Sequence, residues 1–178
     1  MNLDSSSLAS FVRTVPDFPK AGIMFRDITT LLKDAAAFEK TVDILVDYYK
    51  DKKISKIVCI ESRGFILGAA LALRLKAGFV PIRKKGKLPA ATLAASYALE
   101  YGTDVIEIHK DALVKGERVL IHDDLLATGG TVSAACKLVE NLGGSIVGLS
   151  FLIELTFLKG RSHLGNYDVF SVIKYDSE

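Results

Sequence analysis

Cysteine is scarce in this sequence: its 178 residues include two, and their spacing matches neither a metal-binding motif nor a disulfide framework. We expect both to be buried free thiols, with Cys59 in a strand and Cys136 in a helix. A large excess of one charge is also missing, because 23 basic residues face 21 acidic ones and leave a formal net charge of +2. That balance creates no broad basic field, so we expect no nucleic-acid partner.

Long apolar segments are absent as well. The apolar stretch from Phe65 to Leu73 is too short to cross a bilayer. The opening residues, MNLDSSS, lack the basic start and the apolar core of a signal peptide. We therefore expect a cytoplasmic protein without a membrane partner. Repeats and linkers are missing too, and the length fits a single domain spanning residues 1–178.

A compact motif stands out at residues 119–131, which read VLIHDDLLATGGT. Val119–His122 has the length and apolar character of a buried strand, and we expect it to end at two adjacent carboxylates, Asp123 and Asp124. A turn of small residues follows, and apolar residues at helical spacing then continue to Leu142. The predicted order is strand, acidic pair, turn and helix.

The turn has the chemistry of a monophosphate pocket. Glycines let N–H groups approach an anion, threonine hydroxyls add donors, and the start of the helix adds partial positive charge. Carboxylates beside a phosphate would repel it, so sugar hydroxyls or magnesium are better partners for Asp123 and Asp124. A phosphorylated sugar suits both halves. A plain strand and capped helix stays open, since the nucleotide loops GxxxxGK[ST] and GxGxxG are absent.

The whole segment resembles the phosphoribosyl-diphosphate-binding motif of the phosphoribosyltransferases. The resemblance implies an α/β fold with a mainly parallel central sheet flanked by helices, an N-terminal hood and a flexible hairpin lid. It implies that Asp123 and Asp124 address ribose hydroxyls, and that magnesium is a cofactor held mainly through the substrate, with no direct protein ligand. The implied contacts of the 5-phosphate are Ala127, Thr128, Gly129, Gly130 and Thr131.

Residues 1–34 are expected to form the N-terminal helix and the base-binding hood. Apolar spacing predicts an amphipathic helix from Leu8 to Val15, and the segment FPKAGIMFRD that follows is either a functional loop or a plug over the sheet. It resembles the hood of family members that act on adenine, which implies base contacts at Met24 and Arg26. One N–H and one C=O of a backbone match adenine, whereas a 6-oxopurine presents the reverse order of groups.

Two further segments are candidates for binding a diphosphate. ESRG, at 61–64, joins a predicted strand to a predicted helix, which places an arginine and N–H groups together at a helix start. RKKGKLP, at 83–89, concentrates cations, although a solvated face explains them equally well. The resemblance leaves open which cations act across a dimer interface. It assigns diphosphate contacts to Arg63, Arg83, Lys84 and Lys87.

The stretches ASYALE and VIEIHK, at 95–100 and 105–110, alternate like a β-hairpin, which on composition alone is a surface ribbon. The pattern SYxLEYG resembles the family's mobile lid. It implies that Glu100 is the catalytic residue that accepts a proton from the base, and that Tyr101 contacts the substrate. A lid suits this chemistry because water would capture an oxocarbenium-like centre.

The resemblance thus implies transfer of a 5-phosphoribosyl group from 5-phosphoribosyl 1-diphosphate to adenine, giving AMP and pyrophosphate. The apolar fraction of 49% is compatible with an oligomer, and the resemblance implies a homodimer. Two alternatives stay open: transfer to a 6-oxopurine, against which the hood argues, and a non-catalytic regulator that senses the diphosphate, for which no nucleic-acid-binding element is visible. His122 stands where the family usually has an aliphatic residue, and we expect it to be structural rather than catalytic.

Overall fold

The computed structural model of the chain describes residues 5–98 and 103–178. In chain order its strands are β1 (Arg13–Val15), β2 (Phe25–Asp27), β3 (Lys56–Ile60), β4 (Gly78–Lys84), β5 (Thr92–Ala98), β6 (Thr103–His109), β7 (Arg118–Leu126), β8 (Ser145–Leu155) and β9 (Val169–Tyr175). The α-helices are α1 (Ser5–Leu8), α2 (Thr29–Leu32), α3 (Ala35–Tyr49), α4 (Gly64–Leu75) and α5 (Gly130–Asn141). Short 3-10 turns cover Ala9–Phe11, Lys50–Lys52, Thr156–Leu158 and Gly160–His163.

A seven-stranded sheet forms the centre of the molecule, in the order β5-β6-β4-β3-β7-β8-β9. The five strands from β4 to β9 in that order run parallel, and the β5–β6 hairpin joins them antiparallel through β4. The predicted fold, a mainly parallel sheet flanked by helices, is confirmed. Because the carboxyl ends of β3, β4 and β7 meet at one edge, the loops that follow them lie together, where α/β sheets bind ligands.

Helices cover the sheet on both faces. Helices α1 to α4 bury residues such as Leu45 and Leu67 against one face, and α5 buries Leu138 and Val139 against the other. Helix α3 begins at Ala35 because Asp34 caps its start, accepting a hydrogen bond from the N–H of Ala37 at 2.9 Å. No helix within residues 5–98 and 103–178 has both the length and the apolar character that a membrane span requires.

Both cysteines are buried free thiols in the predicted elements. Burial raises the pKa of the Cys59 thiol well above its ordinary value and that of Cys136 to about 12. Gly68 lets α4 approach β3 closely, since a Cβ at this position would lie 2.1 Å from the Sγ of Cys59.

The predicted helix from Leu8 to Val15 is wrong beyond its first turns. The helical part ends at Phe11, and Arg13–Val15 forms β1, which pairs antiparallel with β2. Two of these three residues are β-branched, and a proline follows, which disfavours helical geometry in the residue before it. A strand partner 10 to 14 residues along the chain therefore decides the conformation of this segment.

Candidate active site

A single cavity lies at the carboxyl ends of β3, β4 and β7, where the sequence places its three candidate segments. Side chains from each segment line it, together with part of the β5–β6 hairpin. The lining residues are Ile60, Glu61, Ser62, Arg63, Ile82, Arg83, Lys84, Tyr97, Ile106, Asp123, Asp124, Leu125, Ala127 and Thr131. The structure thus brings together segments that are up to about 70 residues apart in the sequence.

The small-residue turn after β7 forms a narrow pocket beside this cavity, lined by residues 123 and 125–132. Gly129 caps the start of α5 with a φ of +86°, a left-handed conformation that glycine adopts without strain. The helix begins at Gly130, so its free N–H groups and partial positive charge face the turn. All five residues predicted to bind a phosphate lie together in this turn, which we call the phosphate loop (residues 127–131).

Strand β7 does not end at the acidic pair, as the sequence suggests, but continues to Leu126. Consecutive side chains in a strand normally point to opposite faces, yet Asp123 and Asp124 both line the cavity. The pairing of β7 with β8 keeps one register from Leu120 to Leu126, and the N–H of Asp124 donates to the Oδ1 of Asp123 at 2.9 Å. Both carboxylates therefore border the space where one ligand would lie.

Burial controls the protonation of the acidic pair. It raises the pKa of Asp123 well above the ordinary value, and the neighbouring charge of Asp124 adds to the effect. Burial also raises the pKa of Asp124, although Arg63 opposes it with its Nε 2.7 Å from the Oδ2 of that carboxyl. Groups of this kind favour neutral hydrogen-bonding partners such as sugar hydroxyls, since an anion would add further repulsion.

The ESRG segment turns directly from β3 into α4. Its Glu61–Ser62 peptide bond is cis, and α4 begins two residues later at Gly64. A Cβ at Gly64 would lie 2.8 Å from the Oδ1 of Asp123, so the start of this helix touches the acidic pair. Arg63 pairs with Asp124 and also places its guanidinium 5.1 Å from the ring centroid of Phe25.

The predicted diphosphate cations all lie at this edge of the sheet, and each is paired with a carboxylate. Glu61 accepts hydrogen bonds from the Nε of Arg83 at 3.0 Å, from the N–H of Lys84 at 3.1 Å and from the Nζ of Lys87. The Nζ of Lys84 lies 3.1 Å from the Oδ2 of Asp104. Lys87 is not among the residues that line the cavity, and it reaches the site through Glu61.

Glu61 was not predicted as a site residue, and it organises this basic segment. Burial alone would raise the pKa of Glu61, but the hydrogen bonds from Lys87, Lys84 and Arg83 outweigh burial and lower it. Asp104 and Tyr97 were also missed; the Tyr97 hydroxyl donates to Asp104 at 3.3 Å. Local sequence pattern does not indicate a role for these three residues, because their partners are 7 to 26 residues away in the sequence.

The side chain of Arg26, one of the two predicted base contacts in the hood, is buried. Arg26 is 9% exposed, its Nη1 donates to Thr14, and its guanidinium stacks over the Tyr175 ring at 4.0 Å. Neither Met24 nor Arg26 lines the cavity. Because the Arg26 side chain contacts Thr14 and Tyr175, only the backbone of Arg26 is available for a contact with a base.

The predicted catalytic residue Glu100 and the predicted substrate contact Tyr101 lie outside the described residues. The strands that flank this segment in the sequence, β5 and β6, pair antiparallel from Thr92 with His109 to Ala98 with Thr103. His122 is fully buried in β7, with its Nδ1 3.0 Å from the Oγ of Ser150. Burial lowers the pKa of His122 to about 4, and the residue does not line the cavity.

Comparisons with known proteins agree on the family and the fold. A family model described as a phosphoribosyl transferase domain matches residues 27–175. The adenine phosphoribosyltransferase of Solibacter usitatus is 59% identical over 169 residues, which are 95% of this chain and 98% of the relative. The crystal structure of adenine phosphoribosyltransferase from Thermoanaerobacter pseudethanolicus superposes with a TM-score of 0.94 at 54% identity, covering 96% of this chain and 99% of that one.

A further solved structure was determined with ligands. Adenine phosphoribosyltransferase from Saccharomyces cerevisiae, complexed with an imino-altritol bisphosphate and adenine, has a TM-score of 0.89 and 43% identity, and the match covers 94% of this chain and 97% of that chain.

Proposed function

The chain belongs to the phosphoribosyl transferase family, and from this premise we propose that it transfers the 5-phosphoribosyl group of 5-phosphoribosyl 1-diphosphate to adenine. The products are AMP and pyrophosphate, and the step salvages a purine base. One observation carries the proposal: the phosphate loop, the acidic pair and the basic segment line one cavity, in a chain whose relatives over nearly its full length are adenine phosphoribosyltransferases. The names of these relatives favour adenine over a 6-oxopurine and over a sensing regulator.

We propose that the substrate lies across the cavity from the phosphate loop to the basic segment. The 5-phosphate accepts hydrogen bonds from the N–H groups and hydroxyls of residues 127–131 at the start of α5. The ribose hydroxyls meet Asp123 and Asp124, whose raised pKa values suit neutral partners. The diphosphate then reaches Arg63, Arg83, Lys84 and Lys87, which Asp124, Glu61 and Asp104 hold at this edge of the sheet.

Magnesium is the cofactor that we propose for this reaction, held mainly through oxygens of the substrate. In this proposal the diphosphate and ribose oxygens would supply most of its ligands, because magnesium is commonly bound through substrate phosphates with few protein groups. Magnesium bound in this way neutralises part of the diphosphate charge. The groups of this chain that fit beside it are Asp123 and Asp124, and full activity should disappear with a chelator and return when magnesium is added.

We propose that the hood recognises adenine through backbone groups. The Arg26 side chain is committed to Thr14 and Tyr175, so the N–H and C=O groups around Met24 and Arg26 remain as candidates for the pair of hydrogen bonds that adenine offers. A 6-oxopurine would leave a buried donor and a buried acceptor unpaired, which costs several kcal/mol, on the order of 2 to 4, and gives strong rejection.

Glu100 is the residue that we propose accepts the proton from the imidazole ring of adenine as the new bond forms. The Glu100→Gln variant keeps the shape of the side chain and removes the base. We expect its kcat to fall at least about a hundredfold while its Kd for adenine changes by less than about threefold, measured by initial rates and by titration calorimetry. Equal losses of turnover and adenine affinity would contradict the role of base.

A homodimer is the assembly that we propose, with α4 at its interface. Ile66 and Leu73 are 46% and 80% exposed and lie two helical turns apart on one face of α4, and Phe79 is 38% exposed. Leu73→Glu should convert a dimer into a monomer in sedimentation equilibrium. Val114→Glu, at another exposed apolar residue, is the control that should stay dimeric. A monomeric parent protein would refute the proposal.

We also propose that the protein works in the cytoplasm, where two buried free thiols are stable. Fractionation of cells that express the chain with a tag would detect it in the membrane or extracellular fraction if this is wrong.

The catalytic proposal is tested by incubating the purified protein with magnesium and 5-phosphoribosyl 1-diphosphate, together with adenine, hypoxanthine, guanine or xanthine in separate reactions. Chromatography then identifies any nucleotide. We expect AMP from adenine and no nucleotide from the three 6-oxopurines. A nucleotide from a 6-oxopurine alone would overturn the base assignment, and no nucleotide from any base would overturn the enzymatic proposal.

A further inference from the structure

A second turn closes the back of the phosphate loop. This turn, Gly160–His163, touches the loop through backbone atoms at two places. A Cβ at Gly129 would lie 2.6 Å from the carbonyl oxygen of Gly160, and a Cβ at Gly160 would lie 2.2 Å from the carbonyl oxygen of Ala127. Distances this short leave no room for a side chain, so the two backbones are in direct contact.

The turn also makes one side-chain hydrogen bond to the loop. The Nδ1 of His163 lies 2.8 Å from the carbonyl oxygen of Thr128, and since a carbonyl only accepts, Nδ1 carries the proton and donates. His163 is exposed, and its ring is not needed to fill the core. The contact joins residues 35 positions apart in the sequence, at the one peptide that precedes the left-handed Gly129.

The turn is itself fastened to the sheet, so it is a firm support. Arg161 makes two parallel hydrogen bonds to the carboxylate of Glu154 on β8, one of them 2.7 Å long, and its Nη1 donates to the carbonyl of Val169 at 2.9 Å. Burial alone would raise the pKa of Glu154, but the hydrogen bonds from Arg161 outweigh burial and lower the pKa. Leu164, next to the turn, is 2% exposed and anchors its end in the core.

A peptide unit is rigid and planar, so holding one of its ends orients the other. The carbonyl of Thr128 and the N–H of Gly129 belong to one trans peptide, in which they point in opposite directions. The hydrogen bond from His163 draws the carbonyl towards the turn. The Gly129 N–H therefore points away from the turn, and Gly129 is one of the residues that line the narrow pocket.

We propose that His163 is a positioning residue for the 5-phosphate, acting through the Thr128–Gly129 peptide. The inference rests on the proposed function, because it takes the ligand of this pocket to be a sugar 5-phosphate. Ligands that carry this group, such as AMP and ribose 5-phosphate, depend on His163. Adenine and pyrophosphate, which lack it, do not.

The test compares three substitutions at this position. His163→Ala removes the donor, His163→Asn keeps an N–H close to the place of Nδ1, and His163→Gln moves it to the place of Nε2. Titration calorimetry measures the Kd of AMP, ribose 5-phosphate, magnesium pyrophosphate and adenine for each protein. Initial rates give kcat and the KM for 5-phosphoribosyl 1-diphosphate.

We expect His163→Ala and His163→Gln to bind AMP and ribose 5-phosphate about five- to tenfold more weakly, the loss of one hydrogen bond, with adenine and pyrophosphate unchanged. His163→Asn should bind them within about twofold of the parent. The KM for 5-phosphoribosyl 1-diphosphate should rise in parallel while kcat holds.

Unchanged affinity for AMP in His163→Ala, or an equal loss for all four ligands, would overturn the inference. Failure of the parent protein to bind AMP or ribose 5-phosphate would instead refute the proposed function, so the two failures are distinguishable.

Discussion

Gly129 carries the most demanding backbone position of the candidate site, and replacing it by alanine tests the phosphate loop directly. The new Cβ meets two separate obstacles. The φ of +86° is left-handed, which costs an L-residue about 1 to 2 kcal/mol. The Cβ would also lie 2.6 Å from the carbonyl oxygen of Gly160, and this backbone atom can move only if the turn moves with it. Relief of such a clash costs a further 1 to 3 kcal/mol, roughly the price of overpacking.

Gly116 provides a matched control, because its φ is +88° and an added Cβ would meet nothing within 4 Å. Gly116→Ala should therefore show the conformational cost alone, about 1 to 2 kcal/mol in urea unfolding, with an unchanged KM for 5-phosphoribosyl 1-diphosphate. Gly129→Ala should lose about 2 to 5 kcal/mol, the sum of both costs, and displacement of the loop should raise this KM at least about tenfold.

The KM values of the two alanine variants test whether the contact between Gly129 and Gly160 positions the phosphate loop for its ligand. Equal KM values for 5-phosphoribosyl 1-diphosphate in Gly129→Ala and Gly116→Ala would refute the reasoning, since the close approach to Gly160 would then have no consequence for the ligand. A KM for adenine that rises as much as the KM for the diphosphate substrate would also count against a phosphate-specific loop.

Two further predictions concern groups outside the phosphate loop. Glu61→Ala removes the carboxylate that Arg83, Lys84 and Lys87 share, so the basic segment should lose its arrangement. We expect the Kd of magnesium pyrophosphate to rise about tenfold in calorimetry while the Kd of AMP stays the same. Tighter binding of pyrophosphate would show instead that Glu61 competes with the ligand. His122 should lower the free energy of unfolding as the pH falls, because its pKa of about 4 in the folded protein is below the ordinary 6.5. The neutral form is favoured by folding, so its contribution is complete above pH 6.5 and is lost as pH falls towards 4; at pH 5 the loss is about 2 kcal/mol. Urea unfolding at pH 7 and pH 5 should show this loss in the parent and not in His122→Leu, and an equal loss in both would assign it to other groups.

Local pattern predicted the parts of the site that are continuous in the sequence. The strand, acidic pair, turn and helix of residues 119–142 follow from apolar spacing, glycines and hydroxyls within one short segment, and the structure has them in that order. The end of β7 was placed too early, because continued pairing with β8 carries the strand past Asp124 to Leu126. The sequence does not show that β7 continues through the polar residues Asp123 and Asp124, because pairing with β8 decides where the strand ends.

Contacts between segments that are far apart in the sequence could not be predicted from local pattern. Glu61 looked like a turn residue, and its three donors come from residues 83–87, which approach only when β3 and β4 pair. The bond from His163 to Thr128 likewise requires the folded sheet to bring the turn behind the phosphate loop. The segment Arg13–Val15 was assigned to a helix because apolar spacing was read without its strand partner, Phe25–Asp27.

A crystal structure of the protein with magnesium, 5-phosphoribosyl 1-diphosphate and an unreactive adenine analogue tests the central claim most directly. Our account predicts 5-phosphate oxygens within hydrogen-bonding distance of the N–H groups of Thr128, Gly129 and Gly130, ribose hydroxyls on Asp123 and Asp124, and the diphosphate beside Arg63 and the 83–87 segment. A diphosphate bound in the phosphate loop, or a 5-phosphate bound at the basic segment, would contradict it.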